Sequence, residues 1–344
     1  MTAGTRPPGT TEAAGTRTGS GHAPCHHGEI LQGVFRDRHG RILPGLVTLP
    51  MDTPGTRAAF LPRPGPLTVV PADRTKALRA ARLTVEECAV RTGREPTGGE
   101  LTLHGDVPVG LGMGSSTSDV LAAVRAVADS FGLRPGPGTV ARIAVRAERA
   151  CDPLMLDGRP RLFAQRHGRT LEVLGQALPP LVVVGCTLGG GHPVDTLALP
   201  APHPTDRDVD AYEELRAQLR RAIRDRDPAL LGRVATAGAR RGRLARGHEG
   251  FDTLTGLAER AGAVGVQIAH SGCVAGVLFD PADPGAARRV RRCARALERE
   301  GLPVTRTFTT IGTPEEFTDG PAHSGGDRPA GSRPARRPAR VSAL

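Results

Sequence analysis

Apolar positions recur along the chain with two different periods, which predict a mixture of helices and strands. From Thr75 to Thr92 the apolar residues fall close to the 3.6-residue period of a helix. Leu101-Thr-Leu-His104 alternates instead, as a half-buried strand does. Continuous apolar runs at 181–186 and 274–279 are typical of strands that are buried on both faces. The pattern therefore predicts an α+β protein.

The same patterns place the other elements and divide the chain. Further helices are predicted over 116–130, 140–150, 208–226, 228–245, 251–261 and 284–299, and further strands over 46–49, 67–70, 171–174, 265–269 and 304–309. The ends are rich in Gly, Pro, Thr and Arg and have no apolar periodicity, so we expect disordered tails. We predict a tail over 1–20, an N-terminal domain over 21–178, a C-terminal domain over 179–316 and a basic tail over 317–344.

Composition narrows the class of protein. A hydrophobic content of 38% is enough for a core and excludes wholesale disorder. No apolar run approaches the ~20 residues of a membrane-spanning helix, and the first residues lack the apolar centre of a secretory signal. The 6 cysteines form no CxxC pair and no zinc-finger spacing, so we expect reduced thiols. These features predict a cytoplasmic protein without a membrane partner.

The chain is basic, with 46 Lys+Arg against 35 Asp+Glu and a net charge of +11. A basic protein can bind nucleic acid through the phosphate backbone. Here the arginines are concentrated in predicted helices and in the C-terminal tail, and only 8 Phe and 1 Tyr are available to stack on bases. The distribution favours solvated arginine faces over a nucleic-acid interface. A basic surface would also attract an anionic nucleotide.

The segment with the clearest chemical content is the Gly- and Ser-rich loop over 108–119, PVGLGMGSSTSD. Glycines let the backbone approach a ligand closely, and the start of the next helix leaves N–H groups unpaired at a positive dipole end. Together these features make an anion site, most often for phosphate. Hydroxyls could bond phosphate oxygens or ligate Mg²⁺. The lysine of a Walker A loop is missing, as is the acidic residue of a dinucleotide site. The structural alternative is a capped helix after a glycine turn.

Four segments, in order along the chain, resemble the motifs of the GHMP kinases, the family named for galacto-, homoserine, mevalonate and phosphomevalonate kinases. The 108–116 loop resembles their second motif, and the HAPCHHGEILQG segment over 22–33 resembles their first. The GVQIAHSGCVAG segment over 265–276 is similar to their third motif, and Asp152-Pro-Leu-Met155 is similar to a segment of the L-threonine kinase branch. The resemblance extends over about residues 21–310.

The resemblance implies a fold and an activity. The fold is an N-terminal domain like ribosomal protein S5 domain 2 and a ferredoxin-like C-terminal domain, with the nucleotide between them. The implied activity is ATP- and Mg²⁺-dependent phosphorylation of an alcohol, with the side chain of L-threonine as the first candidate. A different hydroxy amino acid or alcohol is the alternative acceptor, and a non-catalytic nucleotide or nucleic-acid binder on the same scaffold is an alternative of another class. We expect a monomer or homodimer.

On the nucleotide side, the resemblance implies a phosphate cradle and a metal site. The cradle is Pro108, Gly110, Leu111, Gly112, Met113, Gly114, Ser115, Ser116 and Thr117. Ser116 corresponds to a catalytic Mg²⁺ ligand, and Glu148 corresponds to the glutamate that completes the site. In the threonine kinase branch that glutamate stands three residues before the aspartate, whereas Glu148 stands four before Asp152, with Arg149 in the expected place. Glu148 could instead be a solvated partner of Arg146 or Arg149.

On the acceptor side, Asp152 corresponds to an aspartate near the acceptor hydroxyl, where it acts as general base or orients the substrate. Its alternative is an Asp-Pro turn residue. The residues implied to contact the substrate are Glu29, Gln32, His27, His270, Ser271 and Gly272. His26 and His27 depart from the family's usual residues before Gly-Glu, which could mark a changed acceptor. Neighbouring side chains of an extended segment point opposite ways, so Cys25-His26-His27 is disfavoured as a metal site.

Overall fold

A computed structural model describes residues 17–51, 55–107, 111–189, 204–246, 250–269 and 273–310. Those residues form twelve strands and seven helices. The strands are β1 (Gly19–Ala23), β2 (His26–Arg36), β3 (Ile42–Pro50), β4 (Thr56–Arg63), β5 (Leu67–Val70), β6 (Gly98–Gly105), β7 (Arg161–Ala164), β8 (Arg169–Val173), β9 (Val182–Thr187), β10 (Gly265–Ile268), β11 (Val274–Phe279) and β12 (Val304–Thr309). The helices are α1 (Thr75–Thr92), α2 (Ser115–Ser130), α3 (Pro137–Glu148), α4 (Asp206–Asp225), α5 (Pro228–Arg246), α6 (Phe251–Ala261) and α7 (Ala286–Arg299).

The first layer is a four-stranded sheet in the order β1-β4-β6-β5, packed against α1 and α2, and α3 packs against those two helices. Helix α2 lies directly on β1 because that strand carries glycines where the two backbones meet. A Cβ atom on Gly21 would stand 2.2 Å from the carbonyl oxygen of Ala122. Nearly every residue of α2 between Val120 and Ala128 is buried, so this helix is the centre of the first core.

The second layer is an eight-stranded sheet in the order β12-β9-β11-β10-β2-β3-β7-β8. It joins strands from both sides of residue 178, since β10 pairs with β2 through Ile268 and Glu29. The sheet therefore runs continuously across the division that we predicted between two domains, and that division stays a prediction.

Helices cover both faces of the part of the sheet that contains β9 and β11. Val183 and Leu278 face the core formed with α4 and α5, whereas Val182, Val184 and Val277 face the core formed with α6 and α7. This two-sided burial explains why β9 is a continuous apolar run in the sequence.

Many elements have the bounds that the sequence pattern predicts, notably α1, α6, β5, β11 and β12. The pattern missed β1, β2, β4 and β7. Strand β1 begins within the stretch predicted as an N-terminal tail, while residues 1–16 and the predicted tail over 317–344 lie outside the described residues. Among the helices of the described chain, none combines the length and the apolar content needed to cross a bilayer.

Candidate active site

The Gly- and Ser-rich loop leads into the N-terminus of α2, as the sequence predicts. Gly112 and Gly114 both have positive φ, 87° and 70°, which lets the loop turn sharply before Ser115 starts the helix. Ser115 and Thr117 are buried and Ser116 is half-buried. The predicted cradle residues Leu111, Gly112, Met113, Gly114, Ser115, Ser116 and Thr117 are thus together at this helix start, while Pro108 and Gly110 lie outside the described residues.

The first turn of α2 is held in place by side chains that the sequence analysis did not single out. Ser118 Oγ donates to the carbonyl of Ala23 at 2.8 Å and accepts from the backbone amide of Thr56 at 3.0 Å. Asp119 accepts a hydrogen bond of 2.6 Å from the Thr56 hydroxyl and pairs with Arg74 at 3.1 Å. These bonds tie the helix start to β1 and β4, so its amides have a fixed direction.

Glu148, at the end of α3, is buried and contacts the same turn. Its Oε2 accepts a hydrogen bond of 2.9 Å from Ser116 Oγ, and its Oε1 accepts one of 2.8 Å from Thr117 Oγ1. Burial raises the pKa of Glu148 to about 7; the two hydroxyl bonds oppose this shift and the charge of Asp152 adds to it. A buried carboxylate among hydroxyls is a hard-oxygen set of the kind that Mg²⁺ binds. Glu148 is therefore buried beside Ser116 and Thr117 and is not a solvated partner of Arg146 or Arg149, and its role as a metal ligand stays a prediction.

The extra residue between Glu148 and Asp152 is taken up by the end of α3. Arg149 follows the helix with φ of 70° and ψ of −18°, a left-handed conformation that is uncommon for a residue other than glycine. The chain reverses there, so Glu148 stays on α3 beside Ser116 while Asp152 lies beyond the turn. The backbone amide of Asp152 is 3.4 Å from Thr117 Oγ1.

The carboxylate of Asp152 contacts the first motif through His26. The distance from His26 Nε2 to Asp152 Oδ2 is 3.0 Å, and His26 Nδ1 lies 3.1 Å from the carbonyl oxygen of Gly28. Glu29 joins this pair, because one nitrogen or oxygen atom from each of His26, Glu29 and Asp152 lies within 4.8 Å of the others. Burial lowers the pKa of His26, but the charges of Asp152 and Glu29 and the Gly28 bond outweigh it and raise the pKa to about 9. The set is thus an imidazolium between two carboxylates.

A small pocket opens beside Glu29. The predicted substrate residues Glu29 and Gln32 line it from β2, Gly238 and Gly242 line it from α5, and Ile268 lines it from β10. The small residues of α5 let the helix lie close to the sheet, since a Cβ atom on Gly238 would stand 3.0 Å from Leu31 Cδ1. The sequence analysis missed these α5 residues, although Ala235, Gly238, Ala239 and Gly242 recur at helical spacing and could have indicated a close approach.

The three motifs meet in one small hydrophobic cluster. Cys25 comes from the first motif, Met113 from the second, and Ala269 and Val274 from the third. The backbone amide of Val274 donates to the carbonyl of Leu111 at 3.0 Å, so the third motif is bonded directly to the loop. The predicted substrate residues His270, Ser271 and Gly272 lie outside the described residues.

His27 is placed differently from its neighbour His26. Its side chain is fully buried against β9 and β12, 5.1 Å from the Phe308 ring, and it accepts a hydrogen bond of 2.8 Å from Gln267 Nε2. A Cβ atom on Gly185 would stand 2.5 Å from its Nε2. Burial and the charge of His26 lower the pKa of His27 to about 3, so this ring is neutral. The structure does not bring His27 to the pocket beside Glu29.

Comparisons with known proteins find similar sequences and a similar fold. Residues 76–154 match the model of the GHMP kinases N terminal domain. The chain is 25% identical over 181 residues to an L-threonine kinase of Citrobacter freundii and 26% identical over 193 residues to an L-threonine kinase of Salmonella typhimurium. Each alignment covers 52% of this chain, and 62% and 59% of the respective relative.

A crystal structure of homoserine kinase from Cytophaga hutchinsonii superposes with a TM-score of 0.61 at 16% identity, covering 88% of this chain and 96% of that one. The chain resembles the GHMP kinases in sequence over residues 76–154, and its α+β fold is the GHMP kinase fold.

Proposed function

We propose that this protein transfers the γ-phosphate of ATP, with Mg²⁺, to the hydroxyl of a small alcohol. The observation that carries the proposal is the position of Asp152. Its backbone amide lies 3.4 Å from Thr117 Oγ1 at the start of α2, and its carboxylate lies 3.0 Å from His26 in the first motif. Asp152 thus stands between an anion site and a pocket.

The phosphate side is the start of α2. Its unpaired amides and the Ser115, Ser116 and Thr117 hydroxyls would bind the phosphate oxygens of ATP. Ser116 and Glu148 would hold Mg²⁺, which neutralises charge on the phosphates during transfer. The fit to a cation rests on Glu148, since a buried carboxylate whose pKa is raised to about 7 is stabilised when a cation replaces its proton.

The acceptor side is the pocket lined by Glu29 and Gln32. An alcohol bound there can donate its hydroxyl hydrogen bond to Asp152, which aligns the oxygen with the γ-phosphorus. The new bond forms between that oxygen and phosphorus, the bond from the γ-phosphorus to the bridging oxygen breaks, and ADP leaves with the electron pair. The hydroxyl proton passes to Asp152.

The acceptor that fits best is a hydroxy amino acid, with L-threonine first. Glu29 is 5% exposed and lines the pocket, so its carboxylate favours a ligand that carries an ammonium group. The two relatives named above are L-threonine kinases. His26 supports the alternative, a pathway-specific kinase for another hydroxy amino acid or alcohol, because it lies beside Glu29 and Asp152.

The test is ADP release by the purified full-length protein with ATP and Mg²⁺ over a panel of hydroxy compounds. The panel contains threonine, serine, homoserine, mevalonate and a sugar, and 3-hydroxybutyrate serves as a threonine analogue without the amine. We expect threonine or a related amino acid to stimulate ADP release and 3-hydroxybutyrate to fail. Absence of stimulation by every compound would contradict the kinase proposal, and equal stimulation by 3-hydroxybutyrate would contradict the role of Glu29.

A further inference from the structure

His26 connects three parts of the site. Its backbone amide donates to the carbonyl of Met113 in the loop at 3.2 Å. Its ring lies 3.1 Å from the carbonyl oxygen of Gly28 on one side and 3.0 Å from Asp152 Oδ2 on the other. The side chain is 2% exposed, so these contacts are shielded from water.

The loop is shaped around this ring. A Cβ atom on Gly114 would stand 2.4 Å from His26 Cδ2 and 2.5 Å from His26 Nε2. Contacts that short do not occur between real atoms, so residue 114 has to be glycine while the ring is in place. Gly114, the last residue before α2, and His26, the partner of Asp152, therefore fix each other's positions.

The charges around the ring favour its protonated form. Asp152 faces the ring from the turn after α3, and Glu29 faces it from β2. These two carboxylates raise the pKa of His26, whereas burial of the ring lowers it. His27, the next residue on β2, is neutral. The described loop residues 111–114 carry no charged side chain. An imidazolium in this place both attracts the carboxylate and restricts its rotation.

We propose that His26 is a positioning residue for phosphoryl transfer, which fixes the Asp152 carboxylate between the start of α2 and the pocket beside Glu29. This inference rests on the proposed function. A carboxylate paired with a cation is a weaker base, so the arrangement orients the acceptor hydroxyl and does not remove its proton early. That suits a loose transition state, in which positioning and electrostatics supply most of the catalysis.

The test is steady-state kinetics of His26→Gln against the wild type, with the best acceptor from the panel. Because the substitution removes a support of Asp152 and not a nucleotide contact, we expect kcat to fall about 10–100-fold while KM for ATP stays within about twofold. The wild-type kcat should decline as pH rises through about 9, where His26 loses its proton, and this limb should be absent from the variant. His104→Gln changes an exposed histidine on β6 and should behave as the wild type.

Each outcome is decisive. A wild type without acceptor-stimulated ADP release removes the proposed function and this inference with it. An active wild type together with an unchanged kcat in His26→Gln overturns only the role of His26. An equal loss of ATP affinity and turnover would show a merely structural residue. Thermal unfolding shows whether His26→Gln folds. If it does not, the kinetics of His26→Asn and the pH profile of the wild type above neutral pH replace it as the test. A wild-type kcat that stays level through pH 9 then overturns the inference.

Discussion

The carboxylate of Glu148 and the hydroxyl of Ser116 are joined by a hydrogen bond of 2.9 Å between Oγ and Oε2. The bond connects the end of α3 to the first turn of α2, and the second carboxylate oxygen accepts from Thr117 at 2.8 Å. Two helix ends, one with free amides and one with a buried acid, therefore face the same point. This is an arrangement suited to a phosphate and its metal ion.

Replacing Glu148 with glutamine keeps the size of the side chain and removes its charge. If Glu148 holds Mg²⁺, we expect the Mg²⁺ concentration for half-maximal activity to rise at least about tenfold. The measurement is ADP release over a Mg²⁺ titration at saturating ATP. Glu100→Gln, which changes a half-exposed glutamate paired loosely with Arg63, is the matched control. The same Mg²⁺ requirement in Glu148→Gln and the control would remove Glu148 from the metal site.

Asp152→Asn tests the group placed nearest to the acceptor. Asparagine retains the shape but cannot accept the hydroxyl proton, so we expect kcat to fall about 10²–10⁴-fold. The control is Asp157→Asn, because Asp157 is a half-exposed residue that pairs with Arg159 at 2.8 Å. Wild-type turnover in Asp152→Asn would leave the residue as a turn former only.

Gly114→Ala tests the close contact between the loop and His26. Alanine in a left-handed conformation costs roughly 1–2 kcal/mol in the free energy of unfolding, and at Gly114 the added Cβ also collides with the ring. Gly132 has a similar φ of 73°, but a Cβ there would meet nothing within 4 Å. We therefore expect both variants to lose stability in thermal unfolding.

Only Gly114→Ala should also lose activity, by about 100-fold, because the collision displaces reacting groups. If Gly132→Ala lost as much activity, backbone strain alone would explain the effect. The contact with His26 would then have no part in catalysis.

The buried His27 predicts how the free energy of unfolding changes with pH. Its pKa is about 3 in the folded protein and 6.5 in the reference state, so between these values the unfolded chain binds a proton that the folded chain does not. The free energy of unfolding therefore falls as pH drops below 6.5, by up to about 1.4 kcal/mol per pH unit from this group. In His27→Phe this contribution is missing, so the free energy of unfolding should fall less steeply with decreasing pH than in the wild type.

The measurement is denaturant unfolding at several pH values from 6.5 to 4, with His104→Gln as the exposed control. His26 does not disturb the comparison, since its pKa is raised to about 9 and its contribution changes only above 6.5. Parallel curves for the wild type and His27→Phe would contradict a neutral buried His27.

Helices and strands with a regular apolar spacing could be predicted from the sequence. Strands whose residues serve close backbone contacts could not. The apolar spacing of α1 predicts its bounds, Thr75–Thr92. Strand β1 has the sequence GSGHA and no apolar alternation, because its glycines are selected for contact with α2 and not for burial of side chains. Strand β2 begins with buried polar residues, so its pattern does not indicate a strand although its first six residues are buried.

The site was predictable in its motifs and not in its pairings. The loop and the segment around Asp152 are visible as short patterns, and Glu148 was implied by the resemblance to the GHMP kinases. The contact between His26 and Asp152 joins residues that are far apart in the chain, and no period of the sequence connects them. The pocket requires α5 to lie against β2, which follows from the sheet order and not from either segment alone.

The most direct test of the central claim is detection of the phosphorylated product. The purified protein is incubated with ATP, Mg²⁺ and L-threonine or another hydroxy amino acid from the panel, and the mixture is followed by ³¹P NMR. A growing phosphomonoester signal of the acceptor, in step with ADP and lost in Asp152→Asn, is the predicted result. ATP that stays intact, or that yields only inorganic phosphate with every acceptor, would contradict the claim.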